Sequence, residues 1–271
     1  MTTQHVALVT GASSGIGRTT ASLFAQRGYR VFGTSRTPDR AKAPAGVEMI
    51  SLDVRDVDSV RAAVTRIADQ VGHIDVLVNN AGYALIGAIE ETTVDEAKAQ
   101  FETNFFGVVQ VIQAALPLMR QAGAGRIINI SSVLGFLPAP YMGFYAASKH
   151  ALEGYSESLD HEVRTFGVRV VLIEPTFTRT YLTANGEETT ARLDAYRPQR
   201  SRVVQGIYER IAHGGDPESV ATAVLKAVEA RDPRLRYPVG REAAMLNRLR
   251  RLVPGQLFGR SLRKQFRLDS V

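Results

Sequence analysis

Short apolar, β-branched runs alternate with longer amphipathic stretches along nearly the whole chain, and this alternation restricts the fold more than any other feature. The runs occupy residues 6–10, 30–35, 47–52, 75–79, 126–131, 168–173 and a short 235–239. Amphipathic stretches between them close on Gly28, Gly72, Gly123 and Gly167, where a left-handed cap costs little. Asp56 and the triplet Asp216-Pro217-Glu218 mark helix starts, the latter with proline in the first turn. Strand, helix, strand in repetition demands right-handed crossovers and a mostly parallel sheet covered on both faces. The expectation is an α/β, doubly wound sandwich with a mostly parallel seven-stranded sheet. One domain over residues 1–240 suffices, since open α/β sheets reach this length as a unit. Within it, the polar, turn-rich and then weakly helical stretch 176–215 follows a strand's carboxyl end and is expected to be a mobile substrate lid.

Composition removes several alternatives. The sequence has 45% hydrophobic and 22% charged residues, a globular balance, and contains no apolar run of spanning length. With no cysteine, thiolate chemistry, disulfides and Cys-rich zinc sites are out. The five histidines are scattered, and His161-Glu162 has no second histidine at metal-binding spacing, so no metal is expected. The first residues lack the features of a secretion signal, which predicts a cytoplasmic protein. The net charge of +6 is wholly contained in residues 241–271, where eight basic residues face Glu242 and Asp269. The body is therefore neutral, which argues against a nucleic-acid surface and makes 241–271 a basic C-terminal extension.

A glycine-rich segment joins the first strand to the first helix, with Gly11, Gly15 and Gly17 around Ser13, Ser14 and Ile16. Strand, tight turn and helix N-terminus in that order present backbone N–H groups to a pyrophosphate, as in Rossmann-type sheets; a flexible turn is the bland alternative. At the end of the second strand the acid that would hold a ribose 2′-hydroxyl is replaced by Ser35, followed by Arg36. That exchange predicts NADP(H) over NAD(H), with the guanidinium pairing the 2′-phosphate, unless Arg36 is an ordinary surface arginine.

Tyr145-Ala-Ala-Ser-Lys149 sets a phenol and an ammonium on one helix face, the sequence's single match at that spacing. The ammonium is expected to draw the phenol about two units below its ordinary value near 10, readying it for proton transfer. Lysine stands here although the chain has far more arginine, and a compact ammonium can also reach ribose hydroxyls.

With Thr10-Gly11-x-x-x-Gly15-Ile16-Gly17, Asp53-Val54, Asn79-Asn80-Ala81-Gly82, Asn104, Ser131-Ser132 and Tyr145-x-x-x-Lys149 in order, residues 5 to about 240 resemble a short-chain dehydrogenase/reductase. It looks like the single-domain kind, which includes 17β-hydroxysteroid dehydrogenase-like members. The resemblance implies an NAD(P)-dependent oxidoreductase interconverting a secondary alcohol and a ketone or aldehyde by hydride transfer, as a homodimer or homotetramer. By the same resemblance Ser132 would hydrogen-bond the substrate oxygen, Tyr145 would move the proton, and Lys149 would lower the phenol pKa and hold the ribose. Asn104 would open its helix locally and link Lys149 to water; a merely buried amide remains the alternative. Asp53 would accept from the adenine amino group, with Val54 packing beside it, unless it is only a turn former. Asn80, Ala81 and Gly82 would let the backbone approach the ribose. Pro175, Thr178 and Thr180 would border the nicotinamide, although Pro175-Thr176 departs from the family's usual Pro-Gly. Two other classes stay in view: a non-catalytic dinucleotide-binding redox sensor, which has no need of the serine, tyrosine and lysine, and an epimerase or dehydratase of the extended relatives.

Leu134, Phe136, Leu137, Tyr141 and Phe177 are expected to line the substrate side, which predicts a small hydrophobic alcohol or carbonyl compound. In the extension, Met245, Leu246, Leu249, Leu252 and Val253 alternate with Arg248, Arg250 and Arg251 at helical period. Such a helix either docks over the cleft or a neighbouring subunit, or rests on anionic lipid as a peripheral membrane contact.

Overall fold

The computed structural model describes residues 4–38, 43–179, 187–266 and 268. Its strands are β1 (Val6–Val9), β2 (Arg30–Ser35), β3 (Val47–Ser51), β4 (Val76–Asn79), β5 (Leu85–Ile86), β6 (Gly125–Ile130), β7 (Val168–Glu174), β8 (Glu187–Glu188) and β9 (Arg236–Pro238). Its helices are α1 (Gly15–Gln26), α2 (Val57–Val71), α3 (Val94–Phe101), α4 (Gly107–Ala122), α5 (Gly143–Val163), α6 (Arg197–Ala212), α7 (Pro217–Glu229), α8 (Gly240–Leu252) and α9 (Gly255–Gln265).

Seven strands form one sheet in the order β3-β2-β1-β4-β6-β7-β9, parallel throughout. All seven expected strands are present, each within a residue or two of its anticipated ends. Gly28, Gly72, Gly123 and Gly167 all take positive φ, and Asp56 and Asp216 cap α2 and α7 through their carboxylates. On one sheet face α2, α4 and α5 bury Val60, Ile67, Val111, Ile112 and Leu152 against Leu8, Leu77 and Ile127. On the other, α1 and α7 bury Phe24, Val220 and Val224 against Val9, Val78 and Val171. The molecule is thus a single-domain Rossmann-like α/β sandwich.

β1 pairs with β2 on one side and β4 on the other, so the chain reverses its winding direction at β1. The loops leaving Val9 and Asn79 diverge there and open a crevice at the strands' carboxyl ends. A third apolar cluster roofs that end, combining Ile86, Leu137 and Tyr141 with Val203 and Ile207 of α6, Ala243 of α8 and Phe266. The described part of the stretch expected as a lid, residues 176–179 and 187–215, is more regular than its composition suggested. β8 pairs with β5, a bridge joins Thr178 to Gly215, and α6 runs sixteen residues. Arg200 of α6 pairs with the buried Glu91, whose carboxylate also accepts from the Leu193 N–H at 2.7 Å.

Candidate active site

The glycine loop is shaped by close approach. Gly11 and Gly15 have φ of +64° and +52°, which disfavours any side chain there. A Cβ on Gly17 would stand 2.3 Å from both Asn80 Nδ2 and Gly11 O, so only glycine lets α1 seat against the loop. Asn80 Nδ2 donates to Thr10 O at 3.0 Å and Gly11 O at 3.1 Å, while Thr10 Oγ1 accepts from the backbone N–H of Asn80 and of Ala81. Two loops from opposite sides of the crevice are thereby tied together. Ser14, the N-cap of α1, makes no side-chain cap bond, and the first turn carries no acid. The positive end of the helix is left for an anionic ligand.

A cavity of about 630 Å³ begins at this loop. It is lined by Gly11, Ser13, Ser14, Gly15 and Ile16, then by Arg36, Asp53 and Val54, by Asn80, Ala81 and Gly82, and finally by Ser132, Tyr145, Lys149, Pro175 and Thr178. Gly17 lies behind the loop and Asn104 is buried behind the wall. Thr180 lies outside the described residues. One elongated cavity thus unites a glycine-lined helix terminus, an arginine-bearing pocket and a hydroxyl-rich end. Those are the features a phosphate-linked dinucleotide requires, and the residues present fit such a group.

Arg55 is a lining residue that the sequence reading missed. Its Nε and Nη2 donate to the two carboxylate oxygens of Asp53 at 3.1 and 2.8 Å. That bond holds the Asp53 carboxyl below its ordinary range, with the charge of Arg36 adding to the effect. Asp53 therefore faces the cavity as an ion-paired group, not as a bare carboxylate. The pair stands on the turn before α2, where Asp53 Oδ1 also accepts from the Arg55 N–H.

At the other end, Ser132 follows β6 and Tyr145 projects from the first turns of α5. The hydroxyl of Ser132 accepts from the Leu134 N–H at 3.1 Å and donates to Pro175 O at 3.5 Å. Burial pushes the Tyr145 phenol up to about 12, against the opposing pull of the Ser132 hydroxyl. The ammonium of Lys149 lies 5.8 Å from the phenol ring's centroid and donates to Ile130 O at 2.8 Å. Burial brings Lys149 down to about 8, opposed by the charge of Glu153. The expected acidification of the phenol by lysine is therefore not what this geometry produces: desolvation wins over a cation at that distance.

Asn104 sits in a π-helical turn, Glu102–Phe106, between α3 and α4, the local opening anticipated for it. Its Nδ2 donates to Tyr83 O at 2.9 Å and Ser148 Oγ at 3.3 Å, and its Oδ1 accepts from the Tyr83 N–H. It braces the loop after β4 against the residue preceding Lys149, and none of these bonds reaches Lys149 itself.

A second missed group is Glu153, one turn beyond Lys149 on α5. Ser131 Oγ donates to its Oε1 at 2.6 Å and Arg236 Nε of β9 donates to its Oε2 at 2.8 Å. A Cβ on Gly135 would meet Glu153 Cγ at 2.8 Å, so the turn after Ser132 has been kept clear for this carboxylate. Arg236 also faces Glu157 and the fully buried Glu174, which in turn accepts from Asn247 of α8.

The substrate side differs from expectation. Leu134 and Phe177 line the cavity, joined by Met142, Val133, Ile211 and Tyr83. Leu137 and Tyr141 belong instead to the roofing cluster, with Phe136 packed against it, and the Tyr141 hydroxyl donates to Gln199 Oε1 at 3.2 Å. Apolar character alone did not separate residues beneath the roof from residues facing the cavity.

The family model for short chain dehydrogenase matches residues 5–191. Among curated relatives, the 3-ketodihydrosphingosine reductase of Bacteroides thetaiotaomicron is 42% identical over 238 residues, 87% of this chain and 88% of that protein. A short-chain dehydrogenase from Streptomyces avermitilis superposes with a TM-score of 0.81 at 34% identity, covering 100% of this chain and 98% of its own. A metagenomic short-chain oxidoreductase in complex with NADP gives a TM-score of 0.69 at 28% identity, covering 86% of this chain and 95% of its own. A short-chain dehydrogenase/reductase from Burkholderia phymatum in complex with NAD gives 0.75 at 27% identity, covering 90% of this chain and 92% of its own. Joined to a phenol, a hydroxyl and an ammonium that line one cavity together with the glycine loop, this likeness places the chain in the short-chain dehydrogenase/reductase family as an NAD(P)-dependent oxidoreductase acting on CH–OH groups.

Proposed function

We propose that this protein reduces an apolar ketone, of the long-chain keto-lipid class, to a secondary alcohol with NADPH as its preferred coenzyme and NADH as the weaker one. The observation that carries the reaction is the meeting of Ser132, Tyr145 and Lys149 at the end of the cavity away from Arg36. The coenzyme preference is supported by Ser35, Arg36 and Arg55 at the other end, where two guanidinium groups border the place of a 2′-phosphate. The substrate class is supported by the apolar wall of Leu134, Met142, Phe177 and Ile211, and by a relative whose name specifies a keto-sphingoid substrate.

A nicotinamide coenzyme held by these residues would supply the hydride. The protein's residues do the rest. Ser132 offers its hydroxyl to the carbonyl oxygen and so stabilises charge developing there. Tyr145, whose raised pKa keeps it protonated at neutral pH, donates the proton to that oxygen. Lys149, fixed by the Ile130 carbonyl, holds a positive charge beneath the site and a donor for ribose hydroxyls. Gly11, Ser13, Ser14 and Ile16 would hold the pyrophosphate, and Asn80, Ala81 and Gly82 the ribose. The lid assignment of 176–215 rests on Phe177, Thr178, Glu187 and Ile211 bordering the cavity.

The test is coenzyme oxidation across a series of ketones of increasing chain length, with NADPH and NADH in parallel. Turnover should favour long apolar ketones, and Tyr145→Phe should lower kcat by about 10²–10⁴-fold. Turnover confined to small polar aldehydes would overturn the substrate assignment, and full activity of Tyr145→Phe would overturn the mechanism.

A further inference from the structure

We infer that the C-terminal helix pair α8–α9 is a docking surface for an anionic phospholipid bilayer. Both helices are packed on the body by one face: Ala243 and Phe266 are buried in the roofing cluster, with Leu246, Phe258 and Leu262 against it. The opposite face is what needs an explanation. Met245, Leu249 and Leu252 follow one another at spacings of four and three on α8 and are 53%, 39% and 81% exposed, and Leu257 at the start of α9 is 55% exposed. These are four of the ten large hydrophobic side chains exposed among the described residues, in a stretch of thirteen positions.

Charge identifies the occupant. Arg241, Arg248, Arg260 and Lys264 are exposed beside this row and form no ion pair with any described carboxylate. The extension holds the whole net charge of +6 on an otherwise neutral protein. A two-fold contact with a second copy would set this patch against itself, arginine toward arginine, and is disfavoured by repulsion. An apolar row rimmed by arginines matches a bilayer interface, with leucines at the acyl boundary and guanidinium groups at lipid phosphates. No described helix is long and apolar enough to cross a membrane, so the contact is peripheral. α8 also packs on the turn Val133–Gly135, whose Leu134 lines the cavity, so the docked face lies beside the site's apolar side.

The test uses the full chain with sedimented vesicles of phosphatidylglycerol and phosphatidylcholine, and of phosphatidylcholine alone. The wild type should partition to the anionic vesicles at least about tenfold more strongly than to the neutral ones, and several-fold less as salt rises from about 0.05 to 0.5 M. A Leu249→Glu/Leu252→Glu variant, changed only at exposed positions, should lose about tenfold or more of that partitioning while keeping its helical signal. Its turnover of a water-soluble ketone should equal the wild type's, so failure here is separable from failure of the reductase assignment. The inference is overturned if the wild type stays in the supernatant or if the double variant partitions equally. It is also overturned if the substitutions change the subunit number, which would make this a contact between copies. Tighter binding to an acidic polypeptide than to vesicles, independent of the two leucines, would replace lipid by an acidic protein.

Discussion

At the scale of single residues, two charged groups, Arg36 on the cavity wall and the buried Glu153 behind Lys149, make distinct predictions. Arg36 lines the pocket beside the Asp53–Arg55 pair, so Arg36→Asp replaces a donor with a repelling carboxylate next to a second carboxylate. The ratio of kcat/KM for NADPH over NADH should fall about 10–100-fold, the scale of hydrogen bonds to charged groups, as read from steady-state kinetics. An unchanged ratio removes Arg36 from coenzyme selection. Glu153 acts through Lys149 and not on substrate. Lys149 is depressed to about 8, so its ammonium is intact below that pH and lost above it; Glu153 opposes the depression. Tyr145, raised to about 12, remains a protonated donor throughout this window. Ketone reduction should therefore decline above pH 8 as the lysine loses its charge. Glu153→Gln, which can still accept from Ser131, should shift that decline to lower pH with little change in neutral-pH coenzyme affinity. A residue of purely structural use would lower stability but leave the pH profile in place.

At the scale of elements, the edge strand β9 does more than close the sheet. Its Arg236 is the common partner of Glu153 and Glu157 and lies 3.6 Å from the fully buried Glu174. Arg236→Leu would leave two buried carboxylates without their cation, a change that costs on the order of 3 kcal/mol. Urea denaturation should report a lower midpoint at unchanged slope; a loss below about 1 kcal/mol would show that Asn247 and Ser131 suffice to satisfy the acids. This element also shows what a sequence can reveal. β9 was recognisable as a short apolar run, and the glycine loop, the caps and the Tyr145–Lys149 face were legible because each is written within a few consecutive residues. The Glu153–Arg236 bond, eighty-three positions apart, has no local signature. Arg55 was missed for a related reason: it looks like one more arginine after a strand end until the fold turns it back onto Asp53. Leu137 and Tyr141 were misassigned to the cavity because apolar periodicity reports burial without reporting which cavity or cluster receives the side chain.

At the scale of the whole molecule, the site is assembled from loops that leave β1, β2, β3, β4, β6 and β7, so a ligand filling it would contact segments from six of the seven strands of the main sheet. Binding that is restricted to the folded state stabilises it by mass action, by about 2.7 kcal/mol at a hundredfold excess over Kd. For a chain of this size each kcal/mol raises Tm by about 2–4 °C, which predicts an increase of about 5–10 °C with saturating coenzyme in a thermal-shift measurement. Tyr145→Phe should show the same increase, because its hydroxyl is assigned to proton transfer and the phosphates and adenine are held elsewhere. Arg36→Asp should lose most of the increase with NADPH and little of that with NADH. If Tyr145→Phe lost the coenzyme shift together with turnover, the tyrosine would be holding the coenzyme, and proton donation would no longer explain the loss of activity.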